Sequence, residues 1–292
     1  MKKVIITGAN GQDGIILSKL LIKKKYVVFK FVKKKNKFNR KNYFTTSNKK
    51  FYNIKNKIDD IKPDIIVHFG SVNPSYKKKF VHKDYNKNLL FTKNIIDYVT
   101  NNNHIKLLLI SSSQIFKKNK KKVTENSPTY PKDEYAKFRI RSAQYLISKK
   151  KKFKLNATVL ILFNHDSKYR NQRFLLPRLI KAIKSDKVNF LREIYNQKIN
   201  GDFSHAEDIC NAIYLLIKKN VNPDKLILSS GKRTYINKII KKFYKKIKHI
   251  KSNKKIKSQN GLIGNNQLAK KIIGWKLKKN IIDAAKEMFK NY

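Results

Sequence analysis

The chain has 292 residues, 40% of them hydrophobic and one of them cysteine, which suits one large domain or two modest ones and rules out an internal disulfide. Lysine and arginine number 70 against 18 acidic residues, a formal charge of +52, but the lysines run along the whole chain and gather in no single arm. They rise together with asparagine, isoleucine, phenylalanine and tyrosine, which share A/T-rich codons, so the charge is assigned to base composition and no specific nucleic-acid partner is expected. No apolar stretch reaches bilayer length, and Met1-Lys2-Lys3 leads straight into an apolar run, so no membrane association, no signal peptide and a cytoplasmic location are expected.

The first strand is predicted at Val4-Ile5-Ile6. A turn follows, Thr7-Gly8-Ala9-Asn10-Gly11-Gln12-Asp13-Gly14, and then Ile15 to Ile22 with apolar residues at helical spacing. Strand, glycine turn and helix in that order make a dinucleotide site. Gly8 permits the tight turn, Gly11 lets the backbone approach a pyrophosphate, and Gly14 lets the helix pack close to the strand. Free N–H groups and the positive helix end then face the phosphates. The turn, including Asn10, Gln12 and Asp13, is the expected cofactor site. The second strand is Tyr26 to Val32. No acidic residue ends it to bind adenosine ribose hydroxyls, and Lys33, Lys34 and Lys35 follow, which suits the 2′-phosphate of NADP; NAD stays open.

A short helix from Ile54 to Ile61 ends before Pro63, and Asp64 to Ser71 form a buried parallel strand and its loop. His68 at this strand end is read as packed and given no chemistry. A helix from about Asn86 to Val99 and a strand at Leu107 to Ile110 continue the alternation, which predicts a parallel sheet covered on both faces. Ser111-Ser112-Ser113-Gln114 end that strand, and Tyr130 to Arg139 lead into a helix through Ile147. Further on, helices are expected at Asp208 to Lys218, with Cys210 in the core, and at Ile281 to Phe289, with a strand near Leu226 to Leu228. The lysine-rich stretches 117–122 and 149–154 are read as solvated loops and helix ends, and no metal site is expected.

The G-x-x-G-x-x-G turn, Ser112 at a strand end and Tyr135 one helical turn before a cation resemble the extended short-chain dehydrogenase/reductase family. That resemblance implies an α/β fold, a Rossmann-type doubly wound parallel sheet with a smaller C-terminal α/β substrate domain. Residues 1–163 would bind NAD(P) with a returning segment at about 202–230, and 164–292 would mainly bind substrate. It also implies that Ser112 orients the substrate hydroxyl and that Tyr135 is the acid/base, its phenolate favoured by a neighbouring cation. The family has lysine there and this chain has Arg139, whose planar fork differs in reach. The loop holding Ser71 would run past the cofactor ribose.

Four further stretches are similar to the GDP-mannose 4,6-dehydratase family, in order along the chain. They are Gln12-Asp13, Leu162 to Ser167, Gly201 to Asp208, and Leu262 to Asn265 with Ile273 to Lys276. The resemblance implies that Asn164 lies by the substrate phosphates and nicotinamide and that His165 lies near the cofactor. Arg170, Arg173 and Arg178 become phosphate clamps or, equally, surface charges. The implied reaction is internal hydride transfer on GDP-mannose with loss of water, giving a 4-keto-6-deoxy sugar, in a homo-oligomer, dimer or tetramer. The family places a glutamate two residues after the Ser/Thr to run the elimination, and here Gln114 stands there. An amide neither accepts nor delivers that proton. A nucleotide-sugar 4-reductase or epimerase, and a non-catalytic nucleotide or nucleic-acid binder, are therefore the alternatives.

Overall fold

Apolar runs four to seven residues long, separated by helical segments, are buried on both faces only if helices cover a parallel sheet on each side. The computed structural model, which describes residues 1–33, 42–46, 51–76, 79–117, 121–246 and 260–291, has this arrangement. Its elements in chain order are β1 (Lys3–Thr7), α1 (Gln12–Lys23), β2 (Val27–Val32), β3 (Tyr43–Thr45), α2 (Phe51–Ile61), β4 (Ile65–His68) and α3 (His82–Thr100). Then come β5 (Lys106–Ser112), a 3-10 turn at Ser113–Ile115, α4 (Glu134–Phe153), β6 (Ala157–Leu162), β7 (Asn164–Asp166), α5 (Leu175–Lys184), α6 (Val188–Asn196) and β8 (Asn200–His205). The chain closes with α7 (Ala206–Lys219), β9 (Lys225–Leu228), β10 (Arg233–Tyr235), α8 (Ile236–Phe243), α9 (Gln267–Ile273) and α10 (Ile281–Asn291).

Seven strands form one parallel sheet in the order β3-β2-β1-β4-β5-β6-β9. The order reverses beside β1, and in such sheets ligands bind at the carboxyl ends of the strands flanking that switch. One face is buried under α1, α7 and α9, the other under α2, α3 and α4. A second sheet, β10-β8-β7, sits with a separate core made by α5, α6, α8 and α10. No helix among the described residues is long and apolar enough to cross a membrane.

Helix boundaries follow their caps. The α4 helix starts at Glu134 because the Asp133 carboxylate accepts from the Ala136 N–H at 2.7 Å. It then continues through the lysines that composition assigned to a loop or helix end, reaching Phe153. Lysine is a good helix former, and cations in the last turn offset the negative helix end. Lys149 also pairs with Asp97 of α3 at 2.8 Å.

The C-terminal segment returns to the first core through Trp275. Its indole is fully buried, and its Nε1 donates to the Asp208 carbonyl at 3.0 Å. The Asp208 carboxylate accepts from the Lys278 and Lys279 N–H groups at 2.9 and 2.8 Å, which pins the chain after the tryptophan onto α7. Replacing Trp275 by alanine removes both the packing and the indole hydrogen bond to Asp208. The expected cost is about 3–5 kcal/mol of unfolding free energy, read as a lower midpoint in urea.

Candidate active site

The glycine turn closes against the end of β4. Gly8 has φ +69°, and a Cβ there would lie 3.0 Å from the Cα and N of Gly70. A Cβ on Gly14 would come within 2.5 Å of the Ala9 Cα and 2.7 Å of the Gly8 carbonyl oxygen, so α1 starts where only glycine fits. Gly11 behaves differently. Its N–H donates to Gly8 O at 2.9 Å, and an added Cβ would meet only that oxygen, at 3.2 Å, with open space beyond. As the N-cap residue of α1 it supplies no side-chain cap. An uncapped helix end with room in front of it fits a diphosphate. Asn10 and Lys33 are exposed at the same end of the sheet, while Lys34 lies outside the described residues.

Strand ends on both sides of the switch are tied together by His68. Thr7 Oγ1 accepts from Gly70 N at 3.0 Å and so donates its proton to His68 Nδ1 at 2.7 Å. Thr92 Oγ1 donates to the Asn88 carbonyl at 2.8 Å and accepts from His68 Nε2 at 3.1 Å. The network thus assigns a neutral ring protonated at Nε2. Burial, with the nearby Arg139 guanidinium, lowers the imidazole pKa to about 3.

Arg139 links Tyr135 and Ser71 at the carboxyl ends of β4 and β5, and Ser112 is the last residue of β5. Ser112 Oγ accepts from Gln114 N at 3.3 Å, which starts the 3-10 turn. Tyr135 is buried in the first turn of α4. One turn on, the Arg139 guanidinium lies 5.2 Å from the Tyr135 ring centroid. Its Nη1 donates to the Ile110 carbonyl and its Nη2 to Ser71 Oγ, both at 2.6 Å, while the buried Nε has no hydrogen-bond partner. The fork lets one residue bridge β5 and the loop after β4 while its charge stays by the phenol ring. Gln114 is exposed, and its amide oxygen accepts from Lys132 Nζ. Glu134, the carboxylate next to Tyr135, is taken up by Lys137 at 2.7 Å and by His82.

Residues after β6 divide into two groups. Asn164 is exposed at the start of β7, whereas His165 is buried and points back at α1. Its Nε2 lies 3.0 Å from both Asp13 carboxylate oxygens. Gln12 Nε2 donates to the His165 carbonyl at 3.2 Å, and its Oε1 accepts from Ser167 Oγ at 3.1 Å. The side chains of Gln12, Asp13 and His165 therefore hold one another. Arg170 is taken up by Asp166 at 3.0 Å and stacks 3.6 Å over the Phe174 ring. Arg173 is exposed, and the Arg178 guanidinium sits 3.5 Å over Tyr76, joining α5 to the loop after β4. Lys132 and Thr92 gave no sign in the sequence, and Thr7 and Asp166 stood within the motifs without a role of their own. The pairing of Gln12-Asp13 with His165-Ser167 was traceable only as two short motifs far apart in one chain.

A family model described as GDP-mannose 4,6 dehydratase matches residues 5–288. The chain belongs to the GDP-mannose 4,6-dehydratase family. GDP-mannose 4,6 dehydratase 1 of Arabidopsis thaliana is 23% identical over 95% of this chain and 86% of its own length. GDP-mannose 4,6 dehydratase of Homo sapiens is 24% identical over 82% of this chain and 71% of its own. Among solved structures, dTDP-glucose 4,6-dehydratase from Bacillus anthracis in complex with NAD superposes with a TM-score of 0.79 at 16% identity, covering 99% of this chain and 96% of that one. UDP-glucuronic acid 4-epimerase from Bacillus cereus in complex with NAD superposes equally well, with TM-score 0.79 and 16% identity over 99% of this chain and 97% of that one. At such identity these structures show that the fold is shared, and within the dehydratase family the Arg139 and Gln114 positions become the points to explain.

No metal-binding group of histidine, cysteine or acidic residues occurs among the described residues. The buried neutral His68 has a consequence for stability. Its pKa is lower folded than unfolded, so the unfolded chain takes up a proton that the native chain refuses between about pH 6.5 and about 3. Its stabilising contribution is whole above that window and is lost as pH falls through it, at roughly 1.4 kcal/mol per unit. Urea unfolding at pH 7 and pH 5 will show the loss, and His68→Gln will flatten it.

Proposed function

We propose that this chain modifies a nucleotide sugar by oxidising C4 with NADP as cofactor, with GDP-mannose as substrate and a 4-keto-6-deoxy sugar as product. The observation that supports the reading is the Arg139 guanidinium beside the Tyr135 ring and bonded to the Ile110 carbonyl of β5, the strand that Ser112 ends, in a chain matched by the dehydratase family over 5–288. A nicotinamide dinucleotide, when bound, supplies the hydride acceptor for C4 and the donor that later reduces C6. Tyr135 takes the C4 hydroxyl proton through its phenolic oxygen, and Ser112 Oγ holds the same hydroxyl in line. The Arg139 cation faces the Tyr135 ring without leaving its bonds to Ile110 and Ser71. Asn164, Arg173 and Arg178 are the groups proposed for the substrate diphosphate. Arg170 is a weaker choice, because Asp166 already engages it. A charge of +52 raises the local concentration of any anionic sugar nucleotide.

One observation favours a second reading, a 4-reductase or epimerase. Elimination needs a base for the C5 proton and an acid for the departing C6 hydroxyl. At the position that resembles the dehydratase acid, this chain has the Gln114 amide with the Lys132 ammonium bonded to it. The neighbouring Glu134 carboxyl is held below its usual range by hydrogen bonds from Lys137 and His82, which makes it a poor proton donor at neutral pH. Hydride transfer to and from C4 requires none of these carboxylates.

Incubation of GDP-mannose with the enzyme and catalytic NADP, followed by mass spectrometry, separates the two readings. Loss of one water marks the dehydratase; an epimer of unchanged mass, or consumption of NADPH with a 4-keto sugar, marks the second. Tyr135→Phe is expected to lower kcat by roughly 10²- to 10⁴-fold in either case. Gln114→Glu is expected to raise the yield of the dehydrated product. No turnover with any GDP-, UDP- or dTDP-sugar overturns both.

A further inference from the structure

On the face of α4 that looks toward β6, Ile140, Ala143, Gln144 and Ile147 follow one another at three- and four-residue spacing. A helix that packs on a sheet fills such a stripe with large apolar side chains. Here the middle of the stripe is a methyl group and an amide: Ala143 is buried, and Gln144 is exposed. Helix and sheet therefore do not close between the two isoleucines, and a cavity of about 140 Å³ remains. Val159 and Ile161 of β6 and Phe116, after the 3-10 turn, line it and are buried. Two charged residues line it as well. Glu125 Oε1 accepts from the Ile227 N–H of β9, the last strand of the sheet, at 2.9 Å. The Glu125 carbonyl accepts from Lys225 Nζ, also at 2.9 Å. The two charges are opposite and each group is bonded to backbone, so the cavity offers an ion no net attraction. A water inside would find few free partners, where it needs two to four.

We propose that this cavity is a binding site for a small, uncharged apolar molecule the size of one six-membered ring. An engineered protein cavity of about 150 Å³ lined by leucine, isoleucine and phenylalanine stays dry and takes benzene or xenon. The same two gains operate here. Lining atoms recover the dispersion contacts that a void forfeits, and the apolar surface of the ligand leaves water. A charged ring of equal size would shed its hydration with no group of opposite sign left free to receive it. Among the described residues that line the cavity, none belongs to the glycine turn and none is Ser112, Tyr135 or Arg139. The site lies behind those groups, with Ile140 next to Arg139 and Phe116 two positions after Gln114. It needs neither a dinucleotide nor a sugar nucleotide to form, so it stands apart from the reading of the reaction.

The experiment is a titration of the full chain with benzene, followed by calorimetry and by the melting midpoint. Binding is expected to saturate at a single molecule per chain and to raise the midpoint, because the ligand meets its site only in the folded protein. Ala143→Leu puts an isopropyl group into the cavity. It should raise the midpoint without ligand and weaken benzene binding by roughly tenfold or more. Benzoate and benzylamine carry the same ring with a charge of either sign, and each should bind roughly tenfold more weakly than benzene. Saturating NADPH should leave the benzene titration unchanged. The proposal is wrong if uptake by the unaltered protein does not saturate, or if folded Ala143→Leu binds benzene as tightly as the unaltered protein. Benzoate or benzylamine binding as tightly as benzene overturns the uncharged ligand class, and displacement of benzene by NADPH puts the ring in the dinucleotide site instead. Should Ala143→Leu fail to fold, Ala143→Val, which adds two methyl groups, decides by the same comparison. None of these results depends on whether a sugar nucleotide is turned over, so the two readings fail separately.

Discussion

The site depends on one close approach, the backbone of Gly8 against the backbone of Gly70. No side chain fits between them, because a Cβ on Gly8 would lie 3.0 Å from Gly70 Cα, and one on Gly70 would lie 2.9 Å from Thr7 Oγ1. That approach places the ends of β1 and β4 side by side at the switch in strand order. Thr7 and His68 then lock the junction with hydrogen bonds that require a neutral ring. The helix end at Gly11 and the loop holding Ser71 are both set by this contact. Arg139 reaches that loop from α4 through its bond to Ser71.

Arginine at position 139 is not a lysine with a different head. Its fork satisfies Ile110 O and Ser71 Oγ together and still faces the Tyr135 ring, which one ammonium on a flexible stem holds less rigidly. A positive charge beside the ring is kept, and its two bonds hold it in place. The departure from the family pattern therefore lies in mobility and reach. Gln114 is a different kind of change, because it removes a titratable group altogether and leaves Lys132 as its partner.

What could be read from the chain was what repeats locally. The glycine turn announces itself in eight consecutive residues, and the strands β4 and β5 are apolar runs whose burial needs no partner to be named. That Ser112 ends a strand and that Tyr135 and Arg139 share a helix was legible from the apolar run and the helical segment that carry them, while their roles came from the resemblance alone. The three-residue strands β7, β8's partner β10, and the edge strand β3 were not, since so few residues show no period and their pairing comes from distant segments. The extent of α4 was misread for a physical reason: a lysine run reads as solvent, but lysine is compatible with a helix whose other face is buried. His165 looked like a cofactor neighbour from its motif. Its side chain faces Asp13, a partner 152 residues away that no local pattern could reveal.

The scarcity of acids gives these contacts a common logic. In a chain with 18 acidic residues against 70 basic ones, a carboxylate on the surface is never short of cations, so ion pairing there discriminates little. The buried ones are selective because each meets a set of donors that only one fold provides. Asp202 is wholly buried and accepts from Ser230 N, Ser230 Oγ, Gly231 N and Gly264 N at 2.6 to 3.2 Å, tying β8 to the loops after β9 and before α9. Asp208 does the same for the two N–H groups that follow Trp275. Asp13 belongs with them, joined to His165 beneath the glycine turn. Removing one partner from such a buried set costs far more than losing a surface pair, because the group left behind has no water to turn to.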